Sequence, residues 1–503
     1  MIIGIDLGTT NSVACYRKDG QNIVIRNAEG NNTTPSVVYL GKKGSSLVGK
    51  KARERRADSP TQTIWSVKRL MGLKFHDLKD EDRDLPYKIE RFGKDDLVIA
   101  TENGKYTPEQ VSAEVLSKIK RDCEKALGCN VERAVITVPA YFSDNQREAT
   151  RRAGELAGLE VVSILSEPTA AALAYSVDGN TNQTIAVYDL GGGTFDISIL
   201  RFENGTCRVL STNGDVHLGG DDIDRRIQNH FVSAAATKSG RDIREEMKDP
   251  VRRANATNYM QLFRILAEKA KIRVCENPLE KAEVKVENFS HDGDITLELS
   301  PKKMEQISSI VTDYTMKCCQ NALDDAGLSI KDIDRVILVG GSTKSPFVRK
   351  AVEDFFGQKP DTSVNPDEAV ALGAAVKGGI LEGTLKSIRL ADVTPLTLGI
   401  MARGNVAVPL IKRNTTIPCS KSVVFTNATE TETLSFPICQ GESKSADKNT
   451  RVGILCVPEI TEKAGQARIR ITFSIDENGI VQVSARNENR GTEQTIKLHR
   501  KAV

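Results

Sequence analysis

The sequence predicts an α/β fold over roughly its first 380 residues, followed by an all-β domain. Apolar strand-like runs alternate with helical segments up to about residue 382. Two nearly identical glycine-rich turns, at residues 6–11 and 189–194, each follow one of the apolar runs. Beyond residue 394 only short runs with apolar residues at every second position remain, and turns separate them. This last pattern is typical of antiparallel β structure.

The two glycine-rich turns predict a clamp for nucleotide phosphates. They read Asp-Leu-Gly-Thr-Thr-Asn and Asp-Leu-Gly-Gly-Gly-Thr, and both lead into a second strand-like run, which predicts a hairpin loop. A P-loop or a dinucleotide-binding turn would open into a helix, and neither motif is present. Glycine lets backbone amides approach phosphate oxygens, while Thr hydroxyls and Asp carboxylates hold Mg²⁺ through water.

A third loop of the same kind strengthens this prediction. Residues 337–342 read Ile-Leu-Val-Gly-Gly-Ser, so two glycines again follow a fully apolar strand. One such loop is equally compatible with a tight turn that binds nothing. Three loops, each placed after a strand, favour a duplicated fold that closes on one nucleotide.

Composition bounds the partners and the compartment. The chain has 503 residues, 39% hydrophobic, and 70 basic residues against 67 acidic ones give a net charge of +3. This balance gives no reason to expect nucleic acid or membrane as a partner. No apolar run reaches the roughly 18 residues of a membrane span, and the first strand begins at Ile2, so a cytoplasmic protein is expected. Ten cysteines without CxxC spacing are expected to be reduced and not to bind zinc.

Capping residues place the helices. Thr107, Pro108 and Gln110 form a helix start, and Gly128 ends the same helix. Further helices are predicted over 144–157, 258–273 and 302–325, and the final strands over 480–485 and 495–498. Residues 387–396 are short and partly apolar, which predicts a docking segment rather than a free tether.

Two charged residues are candidates for chemistry on a phosphate. ATP hydrolysis needs its phosphates held, the developing charge neutralised and a water aligned for attack. Lys68 could reach the terminal phosphate, and Glu167, at a predicted helix start, could lie over a metal ion. Spacing alone favours a solvated surface charge for each of them.

Residues 3–12, 187–196 and 337–343 resemble the three signature segments of the 70-kDa heat-shock chaperones of the DnaK type. The resemblance extends over the whole chain. It implies a two-lobed, actin-like ATPase domain over 1–382, an interdomain linker over 383–394 and a β-sandwich peptide-binding domain over 395–503. It also implies ATP or ADP with Mg²⁺ and K⁺ as cofactors.

The same resemblance implies roles for individual residues. Asp6 and Asp189 would hold metal-bound water, Lys68 would be the catalytic lysine, and Glu167 and Thr194 would orient nucleophile and phosphate. The other implied nucleotide-binding residues are Gly8, Thr9, Thr10, Asn11, Gly191, Gly192, Gly193, Glu268, Lys271, Cys275, Gly340, Gly341, Ser342, Lys344 and Asp367.

Two nucleotide-site positions depart from the family pattern. Cys275 stands where eukaryotic members usually have Ser, and Lys344 stands where an Arg usually covers the adenine. Because Arg stacks as a plane and Lys does not, nucleotide is expected to bind more weakly or exchange faster.

The resemblance also identifies a relay between the domains. Pro139 and Arg147 match the family's relay residues, and Asp392 matches the end of its linker. Upstream, Arg389 and Ala391 interrupt a string that is apolar in the family. A buried, unpaired cation would weaken coupling, whereas an outward-pointing Arg389 would not, and the sequence leaves both open.

The implied peptide pocket lies in the all-β domain. Its matching positions are Ile400, Phe425, Ala428, Leu434, Phe436 and Ile438. Ordinary sandwich core is the alternative for apolar residues on such strands. Arg403 stands where bacterial members have an apolar arch residue, so the arch would stay open or select acidic peptides. Because the sequence ends at Val503, the helical lid is expected to be missing and peptide release to be fast.

The function expected from these features is an ATP-dependent chaperone that binds unfolded polypeptides, with a J-domain co-chaperone and a nucleotide exchange factor as partners. Two alternatives stay open. One is a nucleotide-binding regulator or exchange factor of a complete chaperone. The other is a small-molecule kinase of the actin-like fold, although a β-sandwich has no evident purpose in such a kinase.

Overall fold

The computed structural model describes residues 1–83, 85–175, 182–291, 293–385, 389–477 and 479–497. All α-helices of these residues precede residue 382. The secondary structure after that point consists of strands and one 3₁₀ turn. The order of an α/β part and then a β-rich part is therefore as predicted. The α-helices are Lys50–Arg53, Asp80–Arg83, Pro108–Leu127, Asp144–Leu156, Glu167–Tyr175, Gly220–Ser239, Ile243–Glu246, Arg253–Glu276, Pro301–Ala326, Pro346–Phe356 and Ala369–Leu381.

The first sheet contains the first glycine-rich turn. Strand Ile2–Asp6 pairs in parallel with Arg133–Val138 and antiparallel with Asn11–Lys18, so the turn between them is a hairpin loop, as predicted. A short strand, Thr34–Pro35, also pairs with Asn11–Lys18. The main strand order is Glu160–Ser166, Arg133–Val138, Ile2–Asp6, Asn11–Lys18 and Gln21–Ile25.

The second sheet repeats this arrangement around the second turn. Strand Gln183–Leu190 pairs antiparallel with Phe195–Glu203 and in parallel with Arg335–Val339. Each sheet thus has a hairpin beside a parallel strand, which is the duplication that the sequence predicts. The strand order is Arg335–Val339, Gln183–Leu190, Phe195–Glu203, Thr206–Asp215 and Arg389–Ala391.

Smaller sheets decorate the two large ones. One has the order Gly104–Tyr106, Asp96–Thr101, Lys88–Phe92, and another has the order Ser46–Val48, Val38–Leu40, Thr63–Ile64. A two-stranded sheet joins Ala282–Ser290 to Gly293–Leu299.

The predicted helix boundaries hold where caps define them. Thr107 and Gln110 form the capping box of Pro108–Leu127, and Gly128 ends it in the left-handed region at φ 68°. The helix predicted over 258–273 is longer in the structure, at Arg253–Glu276. Its extra first residues are mostly exposed, so the apolar periodicity that predicted the helix does not extend to them.

The β-rich part is a sandwich of two four-stranded sheets around one core. Along Ile469–Ile475 every second residue is buried, as a strand with one solvent-facing side requires. The last two strands begin and end differently from the prediction, at Val481–Asn487 and Thr492–Lys497, and Leu498 lies outside the described residues. The sheets have the orders Val406–Ile411, Leu398–Ala402, Thr433–Gln440, Thr450–Pro458 and Cys419–Phe425, Ile469–Ile475, Val481–Asn487, Thr492–Lys497.

The segment between the two parts docks on the second sheet. Strand Arg389–Ala391 pairs in parallel with the edge strand Thr206–Asp215, and the Arg389 amide donates to the Gly205 carbonyl at 2.9 Å. Leu390 packs on the core of that sheet, whereas Arg389 is exposed. The burial cost that would weaken docking is therefore avoided. Residues 386–388, part of the predicted docking segment, lie outside the described residues.

Candidate active site

The two hairpin turns meet at their tips. A Cβ built on Gly192 would lie 1.9 Å from Oγ1 of Thr10, and one on Gly193 would lie 2.6 Å from Cγ2 of Thr9. Only glycine permits this approach, because every other residue carries a Cβ. The first turn is braced by Ser36, whose Oγ donates to the Gly8 carbonyl at 2.7 Å.

A cavity of about 430 Å³ opens between these turns, within the size range of small-molecule sites. The predicted nucleotide-site residues of all three glycine loops line this cavity, with the exception of Gly193, which packs against Thr9 and Arg69. All the predicted site residues that line the cavity are Asp6, Gly8, Thr9, Thr10, Asn11, Lys68, Glu167, Asp189, Gly191, Gly192, Thr194, Glu268, Lys271, Cys275, Gly340, Gly341, Ser342, Lys344 and Asp367.

Lys68 and Glu167 form a buried ion pair at the floor of this cavity. Nζ of Lys68 donates to Oε1 of Glu167 at 2.5 Å, and each residue is only 5% exposed. Burial disfavours the ammonium, but Glu167 and Asp6 outweigh that cost and raise the pKa of Lys68. The lysine therefore carries a positive charge where little solvent competes for it, and neither residue is a solvated surface charge.

Three aspartates surround this pair. Burial, and then the charge of Glu167, raises the pKa of Asp6 to about 7 and that of Asp196 to about 7. The same two causes raise the pKa of Asp189 well above its ordinary value. The sequence analysis did not assign Asp196 a role, although it lies within the second signature segment.

This carboxylate cluster fits a hydrated cation. Oδ2 of Asp196 is buried without a hydrogen-bond partner, and the acidic groups outnumber Lys68. Carboxylate oxygens and water are the ligands that Mg²⁺ prefers. Among the described residues, no group of three or more His, Cys, Asp or Glu is placed to hold a metal ion.

Two charged residues predicted to bind the nucleotide, Glu268 and Lys271, are paired with partners that the sequence analysis missed. Glu268 accepts from Nη2 of Arg53 at 2.9 Å, and Nη1 of Arg56 lies 3.5 Å from its other oxygen. Nζ of Lys271 lies 2.9 Å from Oδ1 of Asp224. These partners are far from Glu268 and Lys271 in sequence, so no local pattern could reveal them.

The two positions that depart from the family pattern, Lys344 and Cys275, also line the cavity. Lys344 is half-exposed and forms an ion pair with Asp367, and Cys275 is partly buried. All ten cysteines of the chain are free in the structure.

The wall of the cavity holds the single tryptophan of the chain. Trp65 lines the cavity, and the guanidinium of Arg56 lies 4.4 Å from the centre of its ring. Neither residue was predicted, because a lone aromatic and a basic residue nine positions apart carry no motif. A tryptophan at this position makes the cavity observable by fluorescence.

Comparison with known proteins identifies the family of the chain. A family model described as Hsp70 protein matches residues 2–503. A chaperone protein DnaK of Akkermansia muciniphila is 42% identical over 507 aligned residues, which cover 99% of this chain and 77% of that protein. The chain belongs to the Hsp70 family. The expected family is confirmed, and with it an ATPase that acts as an ATP-dependent chaperone.

The predicted relay residues of this Hsp70 chain lie between the cavity and the sandwich. Arg147 is buried, and its Nη2 and Nε donate to the carbonyls of Ala140 and Phe142 at 3.1 and 3.3 Å. Pro139 is buried at the start of the same loop. Oδ2 of Asp392 accepts from the hydroxyl of Ser166 at 2.9 Å, next to Glu167 in the chain.

The sandwich docks directly on the α/β part of the chain. Oδ1 of Asp144 accepts the Val481 amide at 3.0 Å, and the Asp144 amide donates to Oε1 of Gln440 at 3.3 Å. On another side of the interface, Nη2 of Arg413 donates to Oδ1 of Asp325 at 2.7 Å. None of these contacts could be read from the sequence, since each joins residues that are far apart in the chain.

The structure brings together most of the predicted peptide-pocket residues. Phe425 and Phe436 are ring neighbours, with centroids 5.6 Å apart, and Leu434 packs on the same cluster. Ile400 and Ile438 are fully buried in the sandwich core, as the alternative interpretation expects. Ala428 and Arg403 are exposed outside this cluster.

In the described part of the chain, no helix has both the length and the apolar character that a membrane span needs.

Proposed function

We propose that this Hsp70 chain couples ATP hydrolysis in the cleft to the affinity of the sandwich for exposed apolar segments of unfolded polypeptides. The proposal rests above all on the buried Lys68–Glu167 pair beneath two touching glycine hairpins. That arrangement offers a fixed cation, an acidic group and backbone turns around one cavity. Phosphoryl transfer requires this combination of positioning and charge neutralisation.

In this proposal each residue of the cavity has its own role in hydrolysis. Lys68 neutralises charge that builds on the terminal phosphate, Glu167 orients the attacking water, and Thr194 positions the phosphate. Asp6 and Asp189 hold water ligands of Mg²⁺. The Mg²⁺ and K⁺ ions would supply positive charge around the phosphates of ATP or ADP.

The proposal includes the finer architecture. The ATPase domain covers 1–382 as two actin-like lobes that carry the two large sheets, the linker covers 383–394, and the peptide-binding sandwich covers 395–503. Support comes from the repeated hairpin topology and from the docked strand Arg389–Ala391. Pro139, Arg147 and Asp392 form the relay, and Arg403, Phe425, Ala428, Leu434 and Phe436 contact the peptide, whereas Ile400 belongs to the sandwich core.

The partners complete the cycle. A J-domain co-chaperone accelerates hydrolysis, and an exchange factor restores the ATP form. The protein acts in the cytoplasm on unfolded clients, without nucleic acid or membrane as a partner.

ATP turnover tests this proposal. Wild type and Lys68→Ala are compared with and without a hydrophobic peptide and a J-domain protein. We expect peptide and J-domain protein to stimulate wild type, and Lys68→Ala to bind ATP but to hydrolyse it at least about a hundredfold more slowly. Normal basal turnover without stimulation would instead support the regulator, and sugar phosphorylation would support the kinase.

A further inference from the structure

Arg69 connects the two sides of the cleft through a buried side chain. It follows Lys68 directly, and its neighbours Leu70 and Met71 pack in the core of the first sheet. Its Nε donates to the carbonyl of Gly193, on the second hairpin, at 3.1 Å. Its Nη2 donates to Oδ2 of Asp222 at 2.9 Å, and the side chain is 9% exposed.

The carbonyls of the second glycine turn all have donors. Gly191 accepts from the Gly220 amide at 2.9 Å, and Gly192 accepts from the Asp221 amide at 2.7 Å. Both donors follow the second sheet and start the helix Gly220–Ser239. Gly193 accepts from Arg69, which is the one donor to this turn, among the contacts of the described residues, that comes from the side of the first sheet.

Asp222 connects Arg69 to the same helix start. Its Oδ2 also accepts the Gly219 amide at 2.8 Å, and its Oδ1 accepts from Nη2 of Arg225 at 2.5 Å. A Cβ on Gly219 would lie 2.5 Å from the Gly192 carbonyl oxygen, so this segment packs directly on the turn. Arg69 therefore holds both the turn and the backbone that braces it.

We infer that Arg69 is a positioning residue for hydrolysis, a role that rests on the proposed function. It fixes the turn between Asp189 and Thr194 relative to Lys68 and the first hairpin. The guanidinium suits this role because its planar fork reaches two acceptors in different directions, which an ammonium on a flexible stem does not. Burial opposes its charge, but Asp221 and Asp222 outweigh that cost and raise the pKa of Arg69.

The test compares Arg69→Gln, Arg69→Lys and the matched control Arg225→Gln. Arg225 pairs with the same Asp222 from the same helix, three residues along, and no contact from it to Gly193 is described. Three quantities are measured in the full chain: the ATP dissociation constant, the single-turnover hydrolysis rate, and amide hydrogen exchange over 191–194 and 219–222 without nucleotide.

We expect Arg69→Gln to slow single-turnover hydrolysis at least about tenfold while the ATP dissociation constant changes less than about threefold. Exchange of the 191–194 amides should accelerate about tenfold in the nucleotide-free protein. Arg69→Lys should restore only part of each effect. Arg225→Gln should match wild type in all three measurements.

Wild-type hydrolysis and exchange in Arg69→Gln would overturn the inference, as would an equal loss in Arg225→Gln. Should Arg69→Gln fail to fold, Asp222→Asn weakens the same bridge at its other end, and the same three measurements decide. If wild type neither binds nor hydrolyses ATP, the proposed function fails, and amide exchange still decides whether Arg69 holds the turn.

Discussion

The hydroxyl of Ser166, the residue before Glu167, donates to Oδ2 of Asp392 at 2.9 Å. The hydroxyl of Thr169 lies 3.3 Å from the same oxygen. Glu167 in turn accepts from Lys68 inside the cleft. The start of one helix, Glu167–Tyr175, therefore contacts both the cavity and Asp392.

Asp392→Ala should uncouple the two domains. Loss of the shorter hydrogen bond, from Ser166, should alone reduce peptide stimulation of the ATPase about tenfold, which is the effect of ~1.4 kcal/mol from one charge-assisted hydrogen bond. Basal turnover with saturating ATP should change little. Arg389→Ala is the matched control, because Arg389 is exposed and pairs through its backbone. Full stimulation in Asp392→Ala would contradict the relay.

Docking of the sandwich should weaken as the pH rises. Burial, opposed by the Val481 amide, raises the pKa of Asp144 from 3.8 to about 7 in the docked structure. Protonation is therefore favoured in the docked state. The cost that ionised Asp144 adds to docking is absent below pH 3.8, grows up to about pH 7 and stays constant above that.

Asp144→Asn removes this titration and keeps an oxygen that accepts the Val481 amide. We expect the variant to dock more tightly than wild type at and above neutral pH, with no pH dependence from this site. Energy transfer between labels on the sandwich and on the α/β part measures docking. An unchanged pH profile in Asp144→Asn would exclude Asp144 as the titrating group.

Local sequence patterns predicted those features whose determinants lie close together in the chain. The hairpins follow from a few consecutive residues at 6–11 and 189–194, and the helix Pro108–Leu127 follows from its own caps. Resemblance to the family added the residues lining the cavity, including Glu268 and Asp367.

Contacts between distant segments could not be predicted in this way. Arg69 and Asp222 are 153 residues apart, and Asp144 and Val481 are 337 residues apart. Neither pair shares a motif, because the fold alone brings their elements together. The sequence also could not determine whether Arg389 is exposed. That depends on which side chains of the short strand Arg389–Ala391 pack on the core of the second sheet.

Lys344→Arg should tighten nucleotide binding. Lys344 is half-exposed at the cavity mouth and pairs with Asp367, and Arg can keep that pair while its plane covers the adenine. A stacking gain of about 0.5–1 kcal/mol predicts an ADP dissociation constant lower by a factor of about two to five. Fluorescence of Trp65, the single tryptophan of the chain, measures the titration. Equal constants for the two proteins would show that Lys344 does not cover the base.

Gly192→Ala should weaken nucleotide binding by disturbing the contact between the hairpin tips. The new Cβ would lie 1.9 Å from Oγ1 of Thr10, a distance that two non-bonded atoms cannot share, so the Thr10 side chain must rotate or one turn must move, and either movement displaces a group that lines the cavity. Since both turns would hold the same phosphates, this movement should raise the ADP dissociation constant at least about a hundredfold. Gly20→Ala is the control: its φ of 82° strains an alanine and lowers stability, but nothing lies within 4 Å of the added carbon. Gly20→Ala should therefore lower the melting temperature and bind ADP normally. Retention of ADP affinity in Gly192→Ala would show that closure of the two turns is not what holds the nucleotide.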